Sequence, residues 1–253
     1  MQYDPATIAQ ITLPDISDLR LEHFVGRCVT QAEFEHLCRL VDGFWQHDGN
    51  PNRPHAILTS GHHSSGIINV GDLLTYPNLC EILAYSLARL IREKHPTLPA
   101  RPAWVVGSDH SDAVFSQRVA YFLRAIRADF AEKTATSSDR QSWPRHTIPQ
   151  GIEPVHVEEL ITMLATARRL RDGIRLRHSY PITFSLLATL VLRPDLRRQP
   201  KDQPFSYEGR PVTSHFLYDI PNWDPAVEAC PLCAAGSPAI AEPKKNMAQL
   251  TGV

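Results

Sequence analysis

Two adjacent acids, Glu158 and Glu159, stand between the run Val155–Val157 and a stretch of helical periodicity that carries Thr162 and Thr166. The pattern reads as a buried parallel strand whose carboxyl end feeds a loop and a helix N-terminus. In an open α/β sheet, ligands bind in the crevice at that edge. The first amides of a helix offer N–H groups to an anion there. Carboxylates at a strand tip can hold ribose hydroxyls or a hard cation such as Mg²⁺. The implied chemistry is that of a sugar-phosphate site. Yet the turn carries Met163, Leu164 and Ala165, where phosphate cradles use glycine for its freedom at positive φ. A β-carbon in that conformation costs about 1–2 kcal/mol.

Other residues could add to such a site. Lys133 stands at the edge of a polar stretch, 134–151, that contains Pro144, Arg145, Pro149 and Gly151 and reads as a long mobile loop. Lys133 and Arg145 could clamp phosphates or simply sit in solvent. His62, His63 and His110 could touch a metal or a phosphate, but the chain has twelve histidines, so solvated loop positions are the plainer reading. Cys230-x-x-Cys233 has the spacing of a zinc knuckle, and a full site takes about four ligands. His215, Cys28 or Cys38 could complete it in space; unpaired thiols are the simpler alternative. Trp143 and Trp223 could stack on a base or pack the fold.

The elements that must position these residues follow in chain order. Thr30-x-x-Glu33 is a capping box, and Phe34, Leu37, Cys38, Val41, Phe44 and Trp45 recur behind it at helical spacing. Residues 56–70 read as a β-hairpin with a polar tip. Leu79, Ile82, Leu83, Leu87, Leu90 and Ile91 mark a second helix that ends before Pro96. Strands are expected at Ala103–Gly107, Ala128–Ala131, from Val155, and over Thr183–Leu192, whose near-continuous apolar run suits a sheet covered on both faces. A helix falls after the first of these, and another runs to about Leu170. From Pro194 the tail reads as irregular. Strand–loop–helix repetition predicts an α/β fold with a doubly wound, mainly parallel sheet. The expected divisions are a helical arm or hood over 1–54, a core over 55–195 and an extension over 196–253.

The 253 residues suffice for one large core with an appended segment. A net charge of −1 argues against nucleic-acid binding driven by overall charge. No apolar run reaches membrane-spanning length. Five cysteines, an odd and scattered set, are not a disulfide framework, which makes a reducing cytoplasm the expected setting.

With its segments in order, the chain resembles the type I phosphoribosyltransferases, the orotate branch most closely, over roughly residues 55–240. Leu58 to Ser64 with Ile68-Asn69 is similar to an early family segment. Val105-Val106-Gly107 looks like the pyrophosphate-loop strand, and Phe130 to Lys133 like the edge of the catalytic loop. Val155 to Thr166 looks like the phosphoribosyl pyrophosphate signature, and Asp219 to Cys233 like a tail of some orotate-branch members. The resemblance implies transfer of 5-phosphoribosyl from phosphoribosyl pyrophosphate to a nitrogenous base with Mg²⁺, in a homodimer. It implies ribose contacts by Glu158 and Glu159 and 5-phosphate contacts by Thr162, Ala165 and Thr166. Gly107, Ser108, Ser60 and His62 would bind substrate, and Lys133 or Arg145 the pyrophosphate. The chain departs from the pattern at Met163–Ala165, at Thr59 where many relatives carry Lys, and at Asp109 and Asp112 after Gly107. Those departures support a second reading, a non-catalytic homologue that binds a nucleoside monophosphate or a partner protein as a regulatory or scaffold subunit.

Overall fold

The computed structural model describes residues 8–108, 111–134, 137–195, 197 and 204–252. Two 3₁₀ turns, Leu13–Asp18 and Leu21–Phe24, precede helix α1 (Gln31–Leu40). The Thr30 hydroxyl accepts from the Glu33 amide, and the Glu33 carboxylate accepts from the Thr30 amide at 2.7 Å. This is the reciprocal cap that the spacing predicts. The helix stops earlier than expected. Asp42 turns left-handed at φ 53°, and a Cβ on Gly43 would lie 2.7 Å from the Asn69 carbonyl. Phe44 and Trp45 therefore open strand β1 (Phe44–Gln46) instead of closing the helix.

The stretch read as one hairpin divides between two partners. Strand β2 (His55–Ile57) pairs antiparallel with β3 (His63–Ser64), whereas β4 (Gly66–Ile68) pairs with β1. Helices α2 (Val70–Leu74) and α3 (Pro77–Lys94) lead to the main sheet. Its first half is β5 (Trp104–Gly107), α4 (Ser111–Phe122) and β6 (Arg127–Phe130), followed by the ribbon β7 (Glu132–Thr134) and β8 (Ser137–Ser142). Its second half is β9 (Val155–Ile161), α5 (Ala165–Arg177) and β10 (Leu186–Leu192).

The tail is more regular than its composition suggests. It contains β11 (Ser206–Tyr207), β12 (Arg210–Pro211), β13 (Thr213–Leu217) and β14 (Asn222–Trp223). The short helix α6 (Pro231–Ala234), β15 (Ala239–Ile240) and helix α7 (Met247–Thr251) complete it. Strand β13 joins the main sheet beside β10, and the order β13-β10-β9-β5-β6 is parallel throughout. Strands β14 and β15 flank the β2–β3 hairpin in the order β14-β3-β2-β15. This second sheet, with β1 and β4, forms a hood.

Every residue of β10 is buried, as a sheet with two covered faces requires. On one face Val105, Val155, Val157 and Leu190 pack with Leu83, Leu87, Phe115 and the N-terminal Phe24 and Phe34. On the other, Val106, Ile161 and Leu187 meet Leu170 and Ile174 of α5 together with Trp143 and Ile148. The polar stretch after Lys133 thus contains a strand and a buried tryptophan, and it is not a free loop throughout. The Trp143 indole donates to the His146 carbonyl at 2.7 Å. No helix among the described residues is long and apolar enough to cross a membrane.

Candidate functional site

The order in which strands are added reverses between β5 and β9, so the crevice at their carboxyl ends is where an open α/β fold offers a ligand site. In this chain polar side chains fill it. The Ser108 hydroxyl donates to Glu158 Oε1 at 2.6 Å, and His156 Nε2 lies 2.6 Å from the same oxygen. Ser108, His156 and Glu158 are all but fully buried. The Glu159 amide donates to the Asp112 carboxyl. Burial, then the charges of Glu158 and Glu159, push the Asp112 carboxyl well above the usual carboxylate range. Burial works against the charge of Glu158 too, but His156, with bonds from Asp112 and Ser108, holds that carboxylate below its ordinary value. The two carboxyls are thus shifted in opposite directions, and Oε2 of Glu158 is buried without a hydrogen-bond partner.

Beyond the strand, Thr162 and Met163 are exposed and Leu164 is buried. Leu164 adopts φ 61° and ψ 11° at the N-cap of α5. The left-handed turn of a phosphate cradle is kept there without its glycine, and the side chain packs into the cluster of Ile161, Ala167 and Leu170. Ala165 and Thr166 are exposed in the first turn of α5.

A cavity of about 600 Å³ lies one strand over, between the β9–β10 edge and the hood. Ile57, Leu58, Ile67, Ile68 and Leu160 give it apolar walls, and Thr59, Ser60 and Thr162 add hydroxyls. Residues 241–245 of the tail close one side, with Lys244 and Lys245 in the wall. Arg193, the first residue beyond β10, is the buried cation of this cavity, only 4% exposed. Its guanidinium donates to the Ser64 hydroxyl and to the Gly66 carbonyl at 3.1 Å, while Nε has no hydrogen-bond partner. Burial lowers its pKa to about 10, which leaves it charged at neutral pH. In the sequence Arg193 is marked only as a cation directly after the most apolar strand.

Of the residues singled out from sequence, Ser60 and Thr162 face this cavity, and Glu158, Glu159, Lys133 and Arg145 are not in its wall. Arg145 is ion-paired to Glu132 at 2.7 Å, and Lys133 lies on β7 opposite Gln141. His62 is held by the tail, with Nδ1 3.1 Å from Asn222 Oδ1 and Nε2 3.6 Å from Asp224. A Cβ on Gly107 would lie 2.2 Å from Ser116 Oγ, so that glycine serves the packing of α4 on β5. Asp109 and His110 lie outside the described residues.

Cys230 and Cys233 meet two histidines of the hood. The ligand atoms of His55, His63, Cys230 and Cys233 all lie within 4.8 Å of one another. Burial, then the neighbouring His63 and His47, lowers the His55 pKa to about 4, so its ring is neutral. The companions proposed for the knuckle lie elsewhere: His215 Nε2 bonds the Val29 carbonyl at 3.0 Å, the Cys28 thiol faces the Ser86 carbonyl, and Cys38 is buried in the main core. His63, which reads from sequence as a solvated loop residue, is placed here by the pairing of β3 with β2, and that pairing also brings in His55.

No family model matches the chain. Orotate phosphoribosyltransferase of Thermotoga petrophila is 28% identical over 186 residues, 73% of this chain and 87% of that one. The Caldicellulosiruptor bescii enzyme of the same name is 26% identical over 187 residues, covering 74% and 86%. Among solved structures, orotate phosphoribosyltransferase from Aeropyrum pernix aligns with a TM-score of 0.47 at 16% identity, over 72% of this chain and 92% of that one.

Proposed function

We propose, for a chain that belongs to the type I phosphoribosyltransferases and lies near their orotate enzymes, that it binds a phosphorylated ribose in the cavity beneath the hood. The observation that carries this is Arg193, a buried cation that lines the cavity and whose Nε has no hydrogen-bond partner. A buried cation without a full complement of acceptors favours an anionic ligand, and the guanidinium fork matches phosphate geometry. Thr59, Ser60 and Thr162 add hydroxyl donors, and the apolar wall suits the face of a base. Phosphoribosyl pyrophosphate and a nucleoside 5′-monophosphate share this chemistry.

The same geometry favours binding over turnover. Glu158 is 1% exposed and lies outside the cavity wall, with Oε1 taken by Ser108 and His156 and Oε2 buried without a hydrogen-bond partner, so it offers no contact to a ribose or Mg²⁺ held in this cavity. A transferase reading draws its support from the sequence relatives, which carry the orotate enzyme's name over most of their own length. The family also implies a homodimer, which light scattering on the full chain would test.

Calorimetry with phosphoribosyl pyrophosphate and with orotidine 5′-monophosphate, each with and without Mg²⁺, tests the proposal. Saturable binding independent of Mg²⁺ is expected, and Thr162→Asp, which places a carboxylate in the cavity from an exposed position, should weaken it at least about tenfold. Absence of binding by either compound would overturn the reading. Consumption of orotate that depends on phosphoribosyl pyrophosphate would replace it with the transferase.

A further inference from the structure

The hood and the tail meet at four side chains whose geometry is that of a metal centre. His55 Nε2 lies 2.9 Å from His63 Nδ1, 3.4 Å from Cys233 Sγ and 3.7 Å from Cys230 Sγ, and Cys233 Sγ lies 3.2 Å from His63 Nδ1. Zinc bonds of about 2.3 Å to sulfur and 2.0–2.1 Å to nitrogen give tetrahedral edges of about 3.3–3.8 Å. Most of the observed separations sit at or near such edges, and the histidine pair needs only a few tenths of an ångström of expansion.

The surrounding bonds orient the donors. The Ser237 hydroxyl has one proton and donates it to the Arg53 carbonyl at 2.7 Å, so it accepts from His55 Nδ1 at 2.8 Å. That tautomer turns the Nε2 lone pair of His55 onto the other three donors. Second-sphere bonds of this kind accompany metal-bound imidazoles. Cys230 caps the short helix α6, and the Ala234 amide donates back to the Cys230 carbonyl at 3.1 Å, which curls the Cys-x-x-Cys segment around a point.

We propose that His55 Nε2, His63 Nδ1, Cys230 and Cys233 bind a Zn²⁺-class cation in a closed tetrahedral site. Both thiols lose their protons to solvent when it binds, and no electron moves. The site closes a loop between residues more than 160 positions apart in the chain. It lies between β14, which pairs with β3, and β15, which pairs with β2. Residues 241–245, directly after β15, form the closing wall of the cavity. The cation is thus a fastener that sets the tail, and with it Lys244 and Lys245, against the hood. The assignment stands on the four donors alone and does not depend on what the cavity binds.

The test is elemental analysis of the untagged full chain, with Co²⁺ exchange followed by visible absorption. Stoichiometric zinc is expected, along with intense tetrahedral Co²⁺ bands and thiolate-to-metal charge transfer. Cys233→Ser and His63→Gln should each lose both signals by at least about tenfold in occupancy, whereas Cys28→Ser should keep them. Circular dichroism separates metal loss from unfolding, and the wild-type Co²⁺ spectrum is informative without any variant. Wild-type protein that neither contains nor takes up metal, an octahedral Co²⁺ spectrum, or metal retained in folded Cys233→Ser and His63→Gln would overturn the site.

Discussion

Ser108 and Glu158, 50 positions apart, are joined by a 2.6 Å hydrogen bond that closes the crevice between β5 and β9 from within. The acid couplet lies where an open α/β sheet offers a ligand site, but Oε1 of Glu158 is engaged by the protein's own Ser108 and His156. If Glu158 is structural, Glu158→Ala should destabilise the fold by about 2–5 kcal/mol, since Ser108 and His156 are each left buried without this acceptor. A solvent-facing ligand contact would cost no more than about 0.5 kcal/mol. Urea denaturation distinguishes the two, and a change within the smaller range would return Glu158 to the list of ligand contacts.

The same cluster predicts an unusual pH profile. Glu158 is held below its ordinary pKa by His156 and by bonds from Asp112 and Ser108, so its contribution to stability is present above the unfolded value and lost as pH falls toward the folded one. Asp112 has the opposite sign: burial, then Glu158 and Glu159, raise it, so its contribution is complete in acid and lost as pH rises through its folded value. Stability should fall by up to about 1.4 kcal/mol per pH unit between the ordinary carboxylate range and that raised value. Asp112→Asn should flatten this limb in pH-dependent urea unfolding, and an unchanged slope would assign the limb to another group.

The main sheet was legible because its interior strands bury both faces. Val105-Val106 and the run Leu186–Leu192 carry no alternation, and every residue of each is buried. The Thr30–Glu33 box marked the start of α1 from two residues. Hidden features owe their form to distant partners. Strand β13 (Thr213–Leu217) reads as polar tail until β10 supplies its ladder, and β8 is polar on its own yet lies against α5. His55 becomes a metal-ligand candidate only once β2, β3 and the tail converge. Arg193 carries only the mark of a cation directly after the apolar run Leu186–Leu192, and its role depends on the hood above it.

Leu164 sets two effects against each other. Replacing it with glycine relieves about 1–2 kcal/mol of left-handed strain but removes a buried side chain, a loss of about 2–5 kcal/mol even to alanine. Its place among Ile161, Ala167 and Leu170 decides for burial. Leu164→Gly should therefore lower the melting temperature in calorimetry. A rise would mean that backbone strain outweighs the packing.

If the His55–His63–Cys230–Cys233 centre fastens the tail, chelation should release it. Limited proteolysis with and without a strong zinc chelator should show new cleavage after about residue 224 in the stripped protein, while the main sheet stays resistant. Loss of the tail wall should also weaken nucleotide binding. A cleavage pattern unchanged by verified metal removal would confine the cation to a local role.

Gly173 gives the sharpest sign test of how β8 is placed. It lies within α5, where Gly→Ala ordinarily stabilises an exposed helix position by about 1 kcal/mol. Here a Cβ would come within 1.8 Å of the Gln141 carbonyl oxygen. Backbone on both sides makes that clash hard to relax, so Gly173→Ala should destabilise by about 1–3 kcal/mol, as overpacking does. The strain should appear as separation of β8 from α5, with faster hydrogen exchange over residues 137–148 and exposure of Trp143 to fluorescence quenchers. A stabilised Gly173→Ala protein would show that this ribbon stands away from the helix, and would restore the polar stretch after Lys133 as an open loop.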